Sequence, residues 1–132
     1  MPAARGPVRV VVVDDSAPAR AAIGEAVAAT DGFELVATLA SGEEALEALP
    51  YLAPALVLLD IRMQGIDGVE TCRRIVEREL DTVVVLVSAF NVPELPAGID
   101  SSGAAAVLDK AEVSPRRLGT LWQSLQQPAH AA

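Results

Sequence analysis

The sequence predicts an α/β fold: a doubly wound parallel sheet of five strands in the order 2-1-3-4-5. Three observations predict it. Short apolar runs, mostly of β-branched residues, alternate with stretches of helical spacing from one end of the chain to the other. The first, third and fourth runs are almost continuously apolar, as strands covered on both faces are, which leaves the second and fifth for the edges. Four of the runs end on polar residues, and in such sheets ligands bind beyond the carboxyl ends of the strands.

"VRVVVV", Val8 to Val13, is the first predicted strand and runs into Asp14 and Asp15. A helix is expected from Pro18 to Ala29, then a strand over "FELVAT", 33 to 38. "SGEE" places Ser41 three residues before Glu44, a capping box that opens a helix from Gly42 to Leu49. The third strand, "ALVLL", 55 to 59, meets Asp60, and a helix follows from Val69 to Leu80. "TVVVLV", 82 to 87, is the fourth strand and meets Ser88. A short helix is expected from Pro96 to Ser102, starting late because Pro93 and Pro96 suit a first turn but cost ~3 kcal/mol in a helix interior. "AAVL", 105 to 108, is the fifth strand and meets Asp109 and Lys110. Ser114 and Pro115 then provide an N-cap and a first helical residue for a helix from Pro115 to Gln127. Residues 8–127 read as a single domain, with 1–7 and 128–132 as tails.

A chain of 132 residues with 52% hydrophobic content is one domain with a sizeable core. Its net charge of -8 argues against direct binding to a nucleic-acid backbone, because such affinity rests on Lys and Arg neutralising phosphates. Cys72 is the single cysteine, so no intramolecular disulfide can form. The sequence shows neither a secretory signal nor an apolar run long enough for a bilayer, and a soluble, cytoplasmic protein with no membrane contact is expected.

If strands 1, 3, 4 and 5 are neighbours, Asp14, Asp15, Asp60, Ser88 and Lys110 converge on one rim of the sheet. Two carboxylates ~4 Å apart repel by ~4 kcal/mol at an effective dielectric near ~20, so three of them call for a cation. All the available ligands are oxygens, which implies a hard ion, and Mg²⁺ suits a site with few carboxylates and waters that a phosphate can replace. A metal, a lone Asp, a hydroxyl and an ammonium form the inventory for phosphoryl transfer to a carboxylate.

At this point the residues carry a family resemblance. From Val8 to Gln127 the chain resembles the receiver domain of two-component response regulators: "VVVVDDS" is similar to the first strand and acidic pair, "LLDIRMQGIDG" to the phosphoacceptor strand and loop, "VSAF" to the strand that ends in a hydroxyl residue, and "VLDK" to the strand that ends in the lysine. The resemblance implies a flavodoxin-like (βα)5 fold. It further implies that Asp60 accepts the phosphoryl group, that Asp15 binds Mg²⁺ directly and Asp14 through water, and that the backbone carbonyl of Arg62 completes the metal site. Ser88 and Lys110 would contact the phosphoryl oxygens, with small Ala89 leaving the site accessible. The phosphodonor would be a histidine kinase or a histidine phosphotransfer protein, and the signal would leave through contacts with an output protein. The chain departs from the family pattern at three places. Gln64 and Ala111 stand where proline is usual, which is expected to loosen the two loops more than to alter the chemistry. Val107 stands where an aromatic ring usually acts with the hydroxyl position, here Ser88, as a switch.

Taken singly these residues have plainer uses: Asp caps helices, Ser ends strands, Lys is a solvated charge. Cys72 and Trp122 read as core residues, and His130 as inert. A haloacid dehalogenase-type phosphohydrolase would have a D-x-D pattern, where this chain has adjacent "DD", and a nucleotide-binding fold would have a Gly-rich phosphate loop. The reading is a stand-alone receiver, without an enzyme activity beyond assisting its own phosphorylation and dephosphorylation. The alternatives are the amino-terminal receiver of a longer DNA-binding regulator and a receiver-like binding module that is never phosphorylated.

Overall fold

The computed structural model describes residues 6–78, 80–89, 98, 99 and 101–126. In chain order the elements are β1 (Val8–Val13), α1 (Ala17–Ala28), β2 (Phe33–Leu39), α2 (Gly42–Leu52), β3 (Leu56–Asp60), α3 (Gly68–Glu77), β4 (Val83–Ser88), β5 (Ala106–Asp109), a 3₁₀ turn (Lys110–Glu112) and α4 (Pro115–Gln126). The strands form one parallel sheet in the order β2-β1-β3-β4-β5. This is the predicted flavodoxin-like topology, with the two partly exposed strands at its edges.

Why the inner strands are almost continuously apolar on both faces follows from the pleat. Val11 and Val13, Val57 and Leu59, and Val84 and Leu86 point into a core shared with α2 and α3. The alternate residues Val10 and Val12, Leu56 and Leu58, and Val85 and Val87 point into a second core shared with α1 and α4. Cys72 is buried in the first core, and Trp122 packs in the second with its ring edge-on to Phe33 at 6.5 Å, so both are core residues as expected.

Four strands, β2, β3, β4 and β5, run one residue further at their carboxyl ends than predicted. Asp60 and Ser88 remain in the hydrogen-bonded ladder, opposite Val87 and Asp109 respectively. The polar residues that end β3 and β4 are therefore held by the sheet itself and are not the first residues of loose loops.

α2 also runs on, through Pro50 to Leu52. A proline inside a helix orphans the carbonyl four residues earlier, here that of Leu46. The Arg78 guanidinium donates to that carbonyl at 2.8 Å. Arg9 caps the same helix, donating to the carbonyls of Leu52 at 2.6 Å and Ala53 at 3.1 Å. The Ser41 hydroxyl accepts from the Glu44 N–H as a capping box requires, but the Glu44 carboxylate reaches the N–H of Ala40 rather than that of Ser41. α3 stops at Glu77, three residues short of the expected end, and Leu80 folds back onto the first core. Ser114 caps α4 as expected, its hydroxyl accepting from the Arg117 N–H. Three of the seven residues of the short helix expected from Pro96 to Ser102 lie outside the described residues; the other four form turns and bends, with Ser101 and Ser102 donating backbone bonds to Gly98 and Ile99.

The first residue of α3 closes the loop that follows β3. Gly68 donates its N–H to the Ile61 carbonyl at 2.8 Å, and a Cβ built on it would run into the Asp60 carbonyl and come within 2.7 Å of the Ile61 Cα. Both obstacles are backbone and cannot swing away. Gly68→Ala is therefore expected to lower the unfolding free energy by roughly 1–3 kcal/mol, the usual cost of overpacking. Urea denaturation checks this, and an unchanged midpoint would show that the loop yields freely.

Candidate functional site

The carboxyl rim of the sheet gathers what the sequence placed at the strand ends. Asp14, Asp60 and Lys110 continue the residue alternation of Val10 and Val12, Leu56 and Leu58, and Ala106 and Leu108, all on the face toward α1 and α4. Strand register thus aims an ammonium at two acids. The Lys110 Nζ lies 2.9 Å from Asp14 Oδ2 and 3.5 Å from Asp60 Oδ1.

Asp14 is fully buried, and Asp60 is 6% exposed. The Ser16 N–H donates to Asp14 Oδ1 at 2.8 Å. Among the described residues Asp14 Oδ2 has no hydrogen-bond donor in line with it, and it faces the Lys110 ammonium at 2.9 Å. Asp15 is exposed at the mouth, and its Oδ2 accepts from the Gln64 N–H at 3.0 Å. The three acids each offer an oxygen within 4.8 Å of the others. A cavity of about 200 Å³ is lined by these acids, Ser16, Ile61, Arg62, Ser88, Ala89 and Lys110. A wider cavity of about 450 Å³ adjoins it, lined by Asp15, Arg62, Met63, Gln64 and Asp67 among others. Ser88 is buried in the rim, and Val107, opposite Leu86 in the ladder, packs against the first core from β5.

Electrostatics follow from this crowding. Burial, and then the neighbouring Asp14 charge, push the Asp60 carboxyl up to about 6 from 3.8, against the pull of Lys110. Burial works to lower Lys110, but Asp14 and Asp60 outweigh it and hold the ammonium above its usual value. Lys110 pairs with two of the three carboxylates and carries charge enough for one. An all-oxygen set of three carboxylates, whose charge one ammonium meets only in part, fits a hard divalent cation.

Several supports were missed in the sequence. Arg20 donates to the Asp14 carbonyl at 2.7 Å, fixing the turn that carries the acidic pair. Glu43 Oε2 accepts from the Ile66 N–H at 3.1 Å and lies against Gly65, whose φ is +78°. Gln64 and Ala111 do not simply loosen their loops: each uses an N–H that proline would lack, toward Asp15 and, at 2.8 Å, toward Asp109 Oδ1. The identity of residues 64 and 111 was the available signal, and the hydrogen bonds' partners were not.

A flavodoxin-like sheet with acids and a lysine gathered on its carboxyl rim defines the receiver class of α/β domains. The model of the response regulator receiver domain matches residues 10–121, and the chain belongs to that family of two-component signalling proteins. It is 36% identical over 103 residues to the response regulator GacA of Pseudomonas viridiflava, covering 78% of this chain and 48% of that protein. It is 35% identical over 105 residues to protein-glutamate methylesterase/protein-glutamine glutaminase 5 of Myxococcus xanthus, covering 79% of this chain and 30% of that protein. The chain thus spans about half the length, or less, of these curated relatives. Among solved structures, the signal receiver domain assigned to the response regulator NarL of Mycobacterium tuberculosis superposes with a TM-score of 0.82 at 29% identity, covering 92% of this chain and 98% of that one. Among the described residues no helix is long and apolar enough to cross a membrane.

The raised Asp60 carboxyl has a consequence for stability in metal-free protein. Between pH ~4 and ~6 the folded chain still holds the Asp60 proton that the unfolded chain has released, so this group's contribution falls as pH rises through that window. Asp60→Asn, which mimics the neutral acid, is expected to raise stability at pH ~7.5 by on the order of 1–3 kcal/mol and to flatten the decline. Urea denaturation with a chelator present measures it; a substitution that destabilises at that pH contradicts the electrostatic reading.

Proposed function

We propose that this receiver takes a phosphoryl group onto Asp60 from a phosphohistidine on a histidine kinase or histidine phosphotransfer protein. An Asp60 carboxylate oxygen forms the new bond to phosphorus as the bond from phosphorus to the donor's imidazole nitrogen breaks. The observation that carries this reading is the Asp60 side chain, held by the sheet ladder beside an ammonium 3.5 Å away and within reach of two further acids. Lys110 and Ser88 would contact the phosphoryl oxygens, with Ala89 leaving room for them. Asp15, Asp14, Asp60 and the Arg62 carbonyl would hold Mg²⁺, which when bound neutralises charge on the transferred group. Lys110 would then exchange part of its present ion pairing for the phosphoryl oxygens.

In this reading the domain is a regulated phosphoacceptor, working in the cytoplasm through contacts with other proteins and without direct nucleic-acid binding. We further propose residues 8–127 as its extent. The same rim would serve equally if the chain acts as the receiver part of a longer regulator, a reading that the greater length of the curated relatives favours.

Treatment with acetyl phosphate and Mg²⁺ is expected to add the mass of one phosphoryl group to the chain and none to Asp60→Asn. Phosphorylation of that variant to the same extent would remove Asp60 from its role. Mg²⁺ at ~100 times its dissociation constant is expected to stabilise the unphosphorylated protein by about 2.7 kcal/mol, a gain that Asp15→Ala should abolish. Thermal melts with and without Mg²⁺ measure it, and an Asp15→Ala protein that keeps the gain contradicts the proposed metal site.

A further inference from the structure

We propose that the main-chain N–H of Gln64 is a positioning group for Asp15, and that it couples cation binding to the order of the loop after β3. The inference rests on the metal site proposed above and concerns this chain's own way of building it. Asp15 is the exposed acid of the three, so neither the core nor the Lys110 ammonium fixes it. The Gln64 N–H engages one of its oxygens at 3.0 Å across 49 residues of sequence. A carboxylate fixed through one oxygen presents the other in a single orientation, which is how groups bonded to a metal ligand raise affinity.

The loop that supplies this N–H is itself tied at its other side. Glu43, in the first turn of α2, accepts from the Ile66 N–H at 3.1 Å. Gly65, between the two ties, takes the left-handed φ of +78° that lets Gln64 and Ile66 turn their N–H groups toward different acids. Residues 64–66 therefore bridge the β1–α1 turn and the start of α2 through two carboxylates. A cation on Asp15 strengthens the hold on the Gln64 side, and by reciprocity a better-ordered loop favours the cation.

The side chain of Gln64 has no part in this argument, which sets the test. Gln64→Pro deletes the donor, and Gln64→Ala keeps it. Calorimetric titration with MgCl₂ is expected to show Gln64→Pro binding at least tenfold more weakly, in line with the loss of an outer-shell partner, while Gln64→Ala binds within about twofold of the unsubstituted chain. Glu43→Ala, which frees Ile66, is expected to weaken binding several-fold without touching a ligand. In the unsubstituted chain, amide exchange at Gln64 and Ile66 is expected to slow when Mg²⁺ is added. Equal affinity in Gln64→Pro, or an equal loss in Gln64→Ala, would overturn the inference alone. If Gln64→Pro fails to fold, exchange at Gln64 that ignores Mg²⁺ would overturn it. A chain that binds no Mg²⁺ would overturn both the inference and the metal site on which it rests.

Discussion

One ammonium group shared between two buried carboxylates organises the rim of this domain. Lys110 lies 2.9 Å from Asp14 and 3.5 Å from Asp60, and both acids are almost wholly removed from water. Burying a carboxylate without a partner is prohibitive, and one ammonium neutralises only one of the two. The charge left over is the chemical content of the site. It adds to burial in raising the Asp60 carboxyl, holds the Lys110 proton in place, and favours further positive charge at the rim. On the proposed reading a cation would neutralise the acids, and a phosphoryl group on Asp60 would give Lys110 a new partner while turning that carboxylate into an acyl phosphate.

Such crowding requires a rigid frame, and the frame is the parallel sheet. β1, β3 and β4 are covered on both faces, so their register cannot slip without exposing a core. Asp60 and Ser88 inherit that rigidity because they are still paired in the ladder. Gly68 brings the start of α3 directly under Asp60, at a distance only glycine permits. The loops are held differently, by side chains reaching backbone: Arg20 to the Asp14 carbonyl, Asp15 to the Gln64 N–H, Glu43 to the Ile66 N–H. Sheet contacts are numerous and cooperative, whereas each of these ties is a single bond at or near solvent. The structure therefore sets Asp60 and Ser88 on the stiff part and its adjustable ties on the soft part.

How much of this was legible in the sequence follows from the same division. Asp14, Asp60 and Lys110 could be placed together because each follows an apolar strand at a fixed alternation, and the strand order follows from which runs are apolar on both faces. Nothing comparable announces Arg78, whose guanidinium rescues the Leu46 carbonyl orphaned by Pro50, or Arg9 at the end of the same helix. Pro50 read alone ends a helix at Leu49; with a donor brought from 32 residues away the helix continues. Gln64 and Ala111 were visible as departures from proline, and the partners of their N–H groups were not. Val107 was visible as the loss of a ring, and its place in the first core shows a packing residue where the family pattern has an aromatic one.

The central claim is that the rim holds more negative charge than its own lysine can neutralise. The titration of Asp60, followed by the ¹³C shift of its side-chain carboxyl in metal-free protein and again with Mg²⁺, tests it most directly. The account predicts a midpoint of about 6 without metal and a clear downward shift when Mg²⁺ is present. A midpoint near the ordinary value of 3.8 without metal, or one that Mg²⁺ leaves unchanged, would contradict it.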